Sequence, residues 1–213
     1  MLGIVSTSIV SGKLITKHGH YKRYPIAGTA LMSLGILAMT RLQIDTPYWQ
    51  LSIYAIMVGA GLGLSMQTIV IALQNSVDFK DMGVATSSNT FFRSLGSVFG
   101  TAIFGTILTN RVAHYLTLNF TELAAKNPGA VANFNPKQLA GIQNNTAVLQ
   151  TFPPAIKTTA LNAFVDSFHV VFFVASPVVA VGLIFALMLR ETPLRTNADY
   201  ANARNEAAGE ALG

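Results

Sequence analysis

Residues 51–73 contain no charged side chain. A helix of that length runs about 35 Å at roughly 1.5 Å per residue, which crosses a hydrocarbon core of about 30 Å. Inside lipid no water meets the backbone, so the stretch must bond its own amides as a helix. The pattern recurs. Residues 24–40 are apolar and open on Tyr24-Pro25, proline being compatible with a first helical turn. Residues 90–108 are apolar apart from Arg93, and residues 164–189 carry Asp166 and His169 near their start and Pro177 within. Residues 1–14 make only about 20 Å of helix, a partial span. The expected fold is all-α: a polytopic transmembrane helical bundle of one partial and four full spans.

Composition agrees. Charged residues are 11% of the chain and hydrophobic ones 51%, with mean hydropathy +0.47. A typical soluble domain is about 25% charged. A soluble domain and a disordered chain are both disfavoured. With no cysteine, disulfides, thiolate metal sites and cysteine nucleophiles are excluded. The net charge of +5 does not point to nucleic acid, because the basic residues form short clusters between apolar runs.

Those clusters set the expected topology. With the basic segment 13–23 in the cytoplasm, the linker at 74–93 and the C-terminal tail, counted from Arg190, lie there too. Nine basic residues then fall inside and five outside, four of the five in the long segment 109–163. That outer segment is expected to be largely a solvated loop. Asn135-Pro136 reads as a helix N-cap with proline in the first turn, starting a short helix to Ile142. From Pro154 a helix can run straight into the last span. Tyr48 and Trp49 suit a membrane interface. No basic segment precedes the apolar start, so it is not a signal peptide, and Met1 reads as entering a longer helical array.

The chemistry-bearing residues are few. Gly59-Ala60-Gly61-Leu62-Gly63 lies in a charge-free span rather than between a strand and a helix. It therefore reads as a close helix contact and not as a dinucleotide loop. Gly96 and Gly100 read the same way. Arg93 is costly in lipid unless it snorkels, pairs with Asp78 or Asp81, or lines a polar pathway. Gln67 and Gln74 share a helix face, where they either bond a neighbouring helix or wall a cavity. With Asn89 and Arg93 they are the candidate pathway residues. Asp166 and His169 share a face but make at most half a metal site. No GxSxG, HExxH or Walker pattern occurs, so neither an enzyme nor an ATP-driven pump is expected, and no cofactor or metal.

Two stretches resemble a known family. Gly12, Leu14, Gly19, Lys22 and Arg23 match the basic loop signature of the major facilitator superfamily, with Thr16 where aspartate is common. The second stretch joins Gly59-x-Gly61-x-Gly63, Gln67, Gln74-Asn75-Ser76-Val77 and Asp81-Met82-Gly83-Val84-Ala85-Thr86-Ser87. It continues through Phe91-Phe92-Arg93-x-Leu95-Gly96 and Gly100-x-Ala102-x-x-Gly105. It is similar to the EmrB/QacA branch of 14-helix drug/proton antiporters. The resemblance implies the C-terminal portion of a proton-coupled multidrug exporter in a bacterial inner membrane, working by alternating access. Its implied partners are lipid, cationic or amphipathic drugs, protons and a missing N-terminal half. A small membrane interaction protein, or a carrier of a sugar or siderophore, are the alternatives.

Single cysteines placed at positions 22 and 137 test the topology. A membrane-impermeant maleimide applied to intact cells is expected to label position 137 and spare position 22, and the reverse pattern would invert the assignment.

Overall fold

The computed structural model describes residues 2–131 and 152–194. They form α1 (Leu2–His18), α2 (Arg23–Met39), α3 (Tyr48–Ser76), a 3-10 turn (Phe79–Asp81), α4 (Met82–Lys126), α5 (Pro128–Val131) and α6 (Pro154–Met188). There is no strand among the described residues. Three helices, α3, α4 with its 3-10 lead-in, and α6, are long and apolar enough to cross a membrane. The remaining full span expected, 24–40, is α2. α2 has 17 residues, about 26 Å of helix, at the short limit for a span.

Contacts fall into two compact units, Met1–Leu34 with Ile56–Gly96 and Val179–Gly213, and Gly35–Ala55 with Ser97–Val178. In the first unit α3 lies between α1 and α2, and glycines on its two sides decide the spacing. Gly63 and Gly59, four residues apart, meet α1: a Cβ on Gly63 would collide with Thr7 Oγ1 and the Ile4 carbonyl. Gly61, on the opposite side, meets α2: a Cβ there would strike the Gly28 carbonyl and lie 2.8 Å from Met32 N. The bare backbones let α1 hydroxyls reach α3 carbonyls. Ser8 Oγ donates to Gly63 O at 3.1 Å, and Thr7 Oγ1, bonded to the Gly3 carbonyl of its own helix at 2.6 Å, also comes within 3.1 Å of Ala60 O.

In the second unit much of the segment expected to be a loop is helical. α4 continues past Leu108 to Lys126, and α6 starts at Pro154, the residue from which a helix was expected to run into the last span. The reason is the side-chain pattern. Residues 109–126 contain no glycine or proline, and Val112, Leu116 and Phe120 recur every fourth residue on one buried face. They meet Ile156, Ala160 and Ala163 of α6, so large side chains sit over small ones. Shared hollows pair residues 107–114 with 170–174 and 119–126 with 159–166, which makes α4 and α6 antiparallel here. The expected short helix after Asn135, and all of the C-terminal tail beyond Leu194, lie outside the described residues.

Gly61→Leu is expected to cut the yield of monodisperse, detergent-extracted protein severalfold, because Gly28 and Met32 backbone atoms cannot move aside. Gly96→Leu, at a position with nothing within 4 Å, should leave that yield unchanged. Fluorescence-detected size exclusion of the two variants makes the comparison.

Candidate functional site

The candidate pathway residues map onto α3 and α4. α4 has no buried residue before Val112. Its first half carries a polar stripe, Thr86, Thr90, Arg93, Ser97 and Thr101, at the three- and four-residue spacing that holds one helix face. Asn89 stands one turn before Arg93. Phe91, Phe92, Val98, Phe99 and Ile103 cover the remainder and are exposed.

Arg93 is exposed and forms no ion pair among the described residues. The alternative of pairing with Asp78 or Asp81 is not realised. Asp81 ends the 3-10 turn twelve residues earlier, about 18 Å along the axis and out of reach. Gly96 and Gly100, read as close-packing positions, meet no neighbour within 4 Å. Gln74 on α3 reaches α4 through a long contact from Nε2 to Thr86 Oγ1, 3.5 Å. Gln67 is exposed and makes no hydrogen bond among the described residues; its Cγ lies 3.9 Å from where a Gly12 Cβ would stand.

The basic loop is shorter than the motif. Gly12 sits inside α1, as do Lys13 and Lys17, and Arg23 opens α2. The turn is made by Gly19, whose φ of +73° is the left-handed value glycine adopts freely at a helix end. Its N–H closes the helix on the Ile15 carbonyl at 2.9 Å. Lys22 is half-buried and unpaired among the described residues.

This turn holds a polar latch that sequence reading missed. Tyr21 is 1% exposed, and its N–H donates to Glu191 Oε1 at 3.1 Å. Its hydroxyl contacts Thr192 Oγ1 at 3.0 Å and accepts from the Thr192 N–H at 3.0 Å. His20 Nδ1 stands 3.2 Å from the same Glu191 oxygen. Asn75, at the end of α3, donates to Thr192 Oγ1 at 2.8 Å and to the Pro193 carbonyl at 2.9 Å. The chain after α6 is thereby tied to the α1–α2 turn and to α3. The available signals were a tyrosine between basic residues and a lone glutamate after the last span. Neither points at the other, since 170 residues separate them.

At α6, His169 Nε2 donates to the Leu42 carbonyl at 2.5 Å, fastening the α2–α3 turn. Asp166 lines a hollow with Asn119, Lys126 and Asn162. No group of three or more metal-ligating side chains exists among the described residues.

Three helices long and apolar enough to cross a membrane, with glycine contacts and one polar-striped helix among them, define an integral membrane protein that spans the bilayer more than once. Similarity to known sequences places it further. Over 209 residues, 98% of the chain, it is 36% identical to the uncharacterized MFS-type transporter Rv1877 of Mycobacterium tuberculosis, covering 28% of that protein. It is 30% identical to the multidrug transporter protein MdtP of Bacillus subtilis, covering all of this chain and 42% of MdtP. A tetracycline resistance determinant of Streptomyces rimosus is 27% identical across 98% of this chain and 64% of its own length. The chain belongs to the major facilitator superfamily and is not an enzyme. It spans less than two thirds of each of these relatives. No family model matches, and no solved structure does.

Tyr21→Phe removes the hydroxyl that Thr192 uses twice. Trypsin is expected to cut after Arg190 severalfold faster in that variant, while cleavage after Lys126 stays at the wild-type rate. Timed digestion read by mass spectrometry distinguishes the two bonds.

Proposed function

We propose that this chain is the C-terminal portion of a proton-coupled drug exporter of the 14-helix type, working by alternating access in a bacterial inner membrane with its C-terminus in the cytoplasm. The observation that carries the reading is the stripe of α4 through Asn89 and Arg93. A guanidinium on a membrane-spanning helix is tolerated where it meets water, protein or an opposite charge. No described residue forms an ion pair with Arg93, so the stripe suits one wall of a water-filled path. Secondary transporters form such paths between repeats, and a single repeat contributes one wall. The names of the relatives, a multidrug transporter and a tetracycline resistance determinant, support drugs as the substrates.

In this reading Gln67, Gln74, Asn89 and Arg93 belong to the substrate path. Gly19, Lys22 and Arg23 shape the cytoplasmic turn, and Gly12 lies within α1 ahead of it. The opposite wall, with the carboxylates that couple proton entry, comes from an N-terminal part.

The test uses the full-length parent and this chain in parallel. The parent should export a cationic dye in a manner abolished by a protonophore, and this chain alone should export none. In the parent, Arg93→Ala should lower efflux per inserted molecule severalfold with membrane abundance unchanged, and Arg93→Lys should restore part of it. Full efflux in Arg93→Ala would remove Arg93 from the path. Protonophore-sensitive efflux by this chain alone would replace the fragment reading with a self-assembling carrier.

A further inference from the structure

The second unit contains a groove of about 790 Å³ between the α2–α3 turn and α6. That volume lies within the range of small-molecule sites, about 300–1,000 Å³. Its α6 wall is an aromatic stripe, Phe164, Phe168 and Phe172, at four-residue steps. Phe168 and Phe172 stack with ring centroids 6.2 Å apart and planes 21° from parallel, and Phe168 is 40% exposed. Leu51 and Tyr48 close the other side.

The rim is polar and preformed. The turn is closed by Thr46 N–H to the Gln43 carbonyl at 3.1 Å and Gln43 N–H to Thr46 Oγ1 at 2.7 Å. It is pinned to α6 by His169 through the Leu42 carbonyl. Asp45, in the middle of this turn, lines the groove with an exposed carboxylate that has no ion-pair partner among the described residues. Arg41, the nearest cation in sequence, is exposed and does not line the groove. One unpaired negative charge thus stands beside aromatic faces, which carry negative potential, above an apolar floor.

We infer that this groove binds a single-chain amphiphile with an organic ammonium head, the head at Asp45 and the apolar body along Phe164, Phe168 and Phe172. Binding here requires neither transport nor any residue outside the chain, so it stands or falls separately from the efflux reading. Trp49, the one tryptophan of the sequence, does not line the groove but follows Tyr48, which does, so a quencher seated in the groove stands near it.

The full chain in dodecyl maltoside is titrated with two quenchers of Trp49 fluorescence, cationic N-dodecylpyridinium and uncharged brominated dodecyl maltoside. Dodecylpyridinium should quench at the lower mole fraction. Asp45→Asn should raise its half-quenching point about tenfold, the loss of one charge-assisted contact, and leave the uncharged probe unmoved. Asp78→Asn, an exposed carboxylate in the other unit, should change neither curve. Phe168→Ala should weaken both probes. An unchanged dodecylpyridinium curve in Asp45→Asn, or equal quenching by the two probes in the wild type, overturns the site.

Discussion

Contact between bare backbones at Gly61 and Gly63 governs how the first three helices stand together. Lipid tails are as apolar as leucine, so helices in a bilayer gain little by hiding apolar side chains from their surroundings. What holds them is close approach and interhelical hydrogen bonding. Each glycine in a helix interior costs up to about 1 kcal/mol against alanine in water. Each side-chain bond across helices returns about 0.6–2 kcal/mol; Ser8 makes one onto α3, and Thr7 shares its proton between Ala60 O and the Gly3 carbonyl of its own helix. The glycines become favourable only as a set, because they admit the hydroxyls. The latch at Tyr21 depends on the same geometry, since the α1–α2 turn that carries Tyr21 follows the helix that Gly63 seats.

The second unit follows other rules. α4 has 45 residues, about 68 Å of helix, more than twice a hydrocarbon core of about 30 Å. A large part of it therefore projects beyond the lipid. There Thr117, Thr121, Glu122 and Lys126 face outward, while Val112, Leu116 and Phe120 turn inward over the alanines of α6. Apolar burial against water stabilises this pair in the ordinary way. The exposed Lys126–Glu122 contact at 2.5 Å is screened by water and adds little. One chain thus uses glycine contacts in one unit and large-over-small side-chain packing in the other.

Legibility in the sequence followed the strength of the local signal. A charge-free run such as 51–73 admits one conformation in lipid, so the helical class and the seat of α3 could be read directly. The GxGxG stretch could be read as a packing site because nothing else explains three glycines in such a run. The extension of α4 was less visible, because its buried positions recur among polar residues and polarity resembled a loop. Gly96 and Gly100 have the same spacing as a packing pair, yet spacing alone does not say whether a partner helix is present. The latch was invisible for a different reason. Tyr21, Asn75 and Glu191 carry no motif, and their meeting is a product of tertiary geometry.

Two side chains near the start of α4, Asn89 and Arg93, place the heaviest demand on their surroundings. Thr90 and Thr101 turn their hydroxyls back to the carbonyls of Thr86 and Ser97, at 3.0 and 2.8 Å, so both satisfy much of their polarity within the helix and tolerate lipid. Asn89 and Arg93 have no such recourse and make no hydrogen bond among the described residues. A snorkelling arginine points back along the helix toward its N-terminus, as side chains on a helix do. That direction brings the guanidinium to the level of Asn89, one turn away, and not beyond it. Asparagine is too short to reach past that level. Asn89 precedes the apolar run 90–108, so the cytoplasmic interface supplies the polar medium at its level, and a snorkelling Arg93 reaches that same level. A polar path is required only where such groups stand deeper than this turn, so the interface and a water-lined wall are told apart by the effect of Arg93 on transport and not by its position on α4.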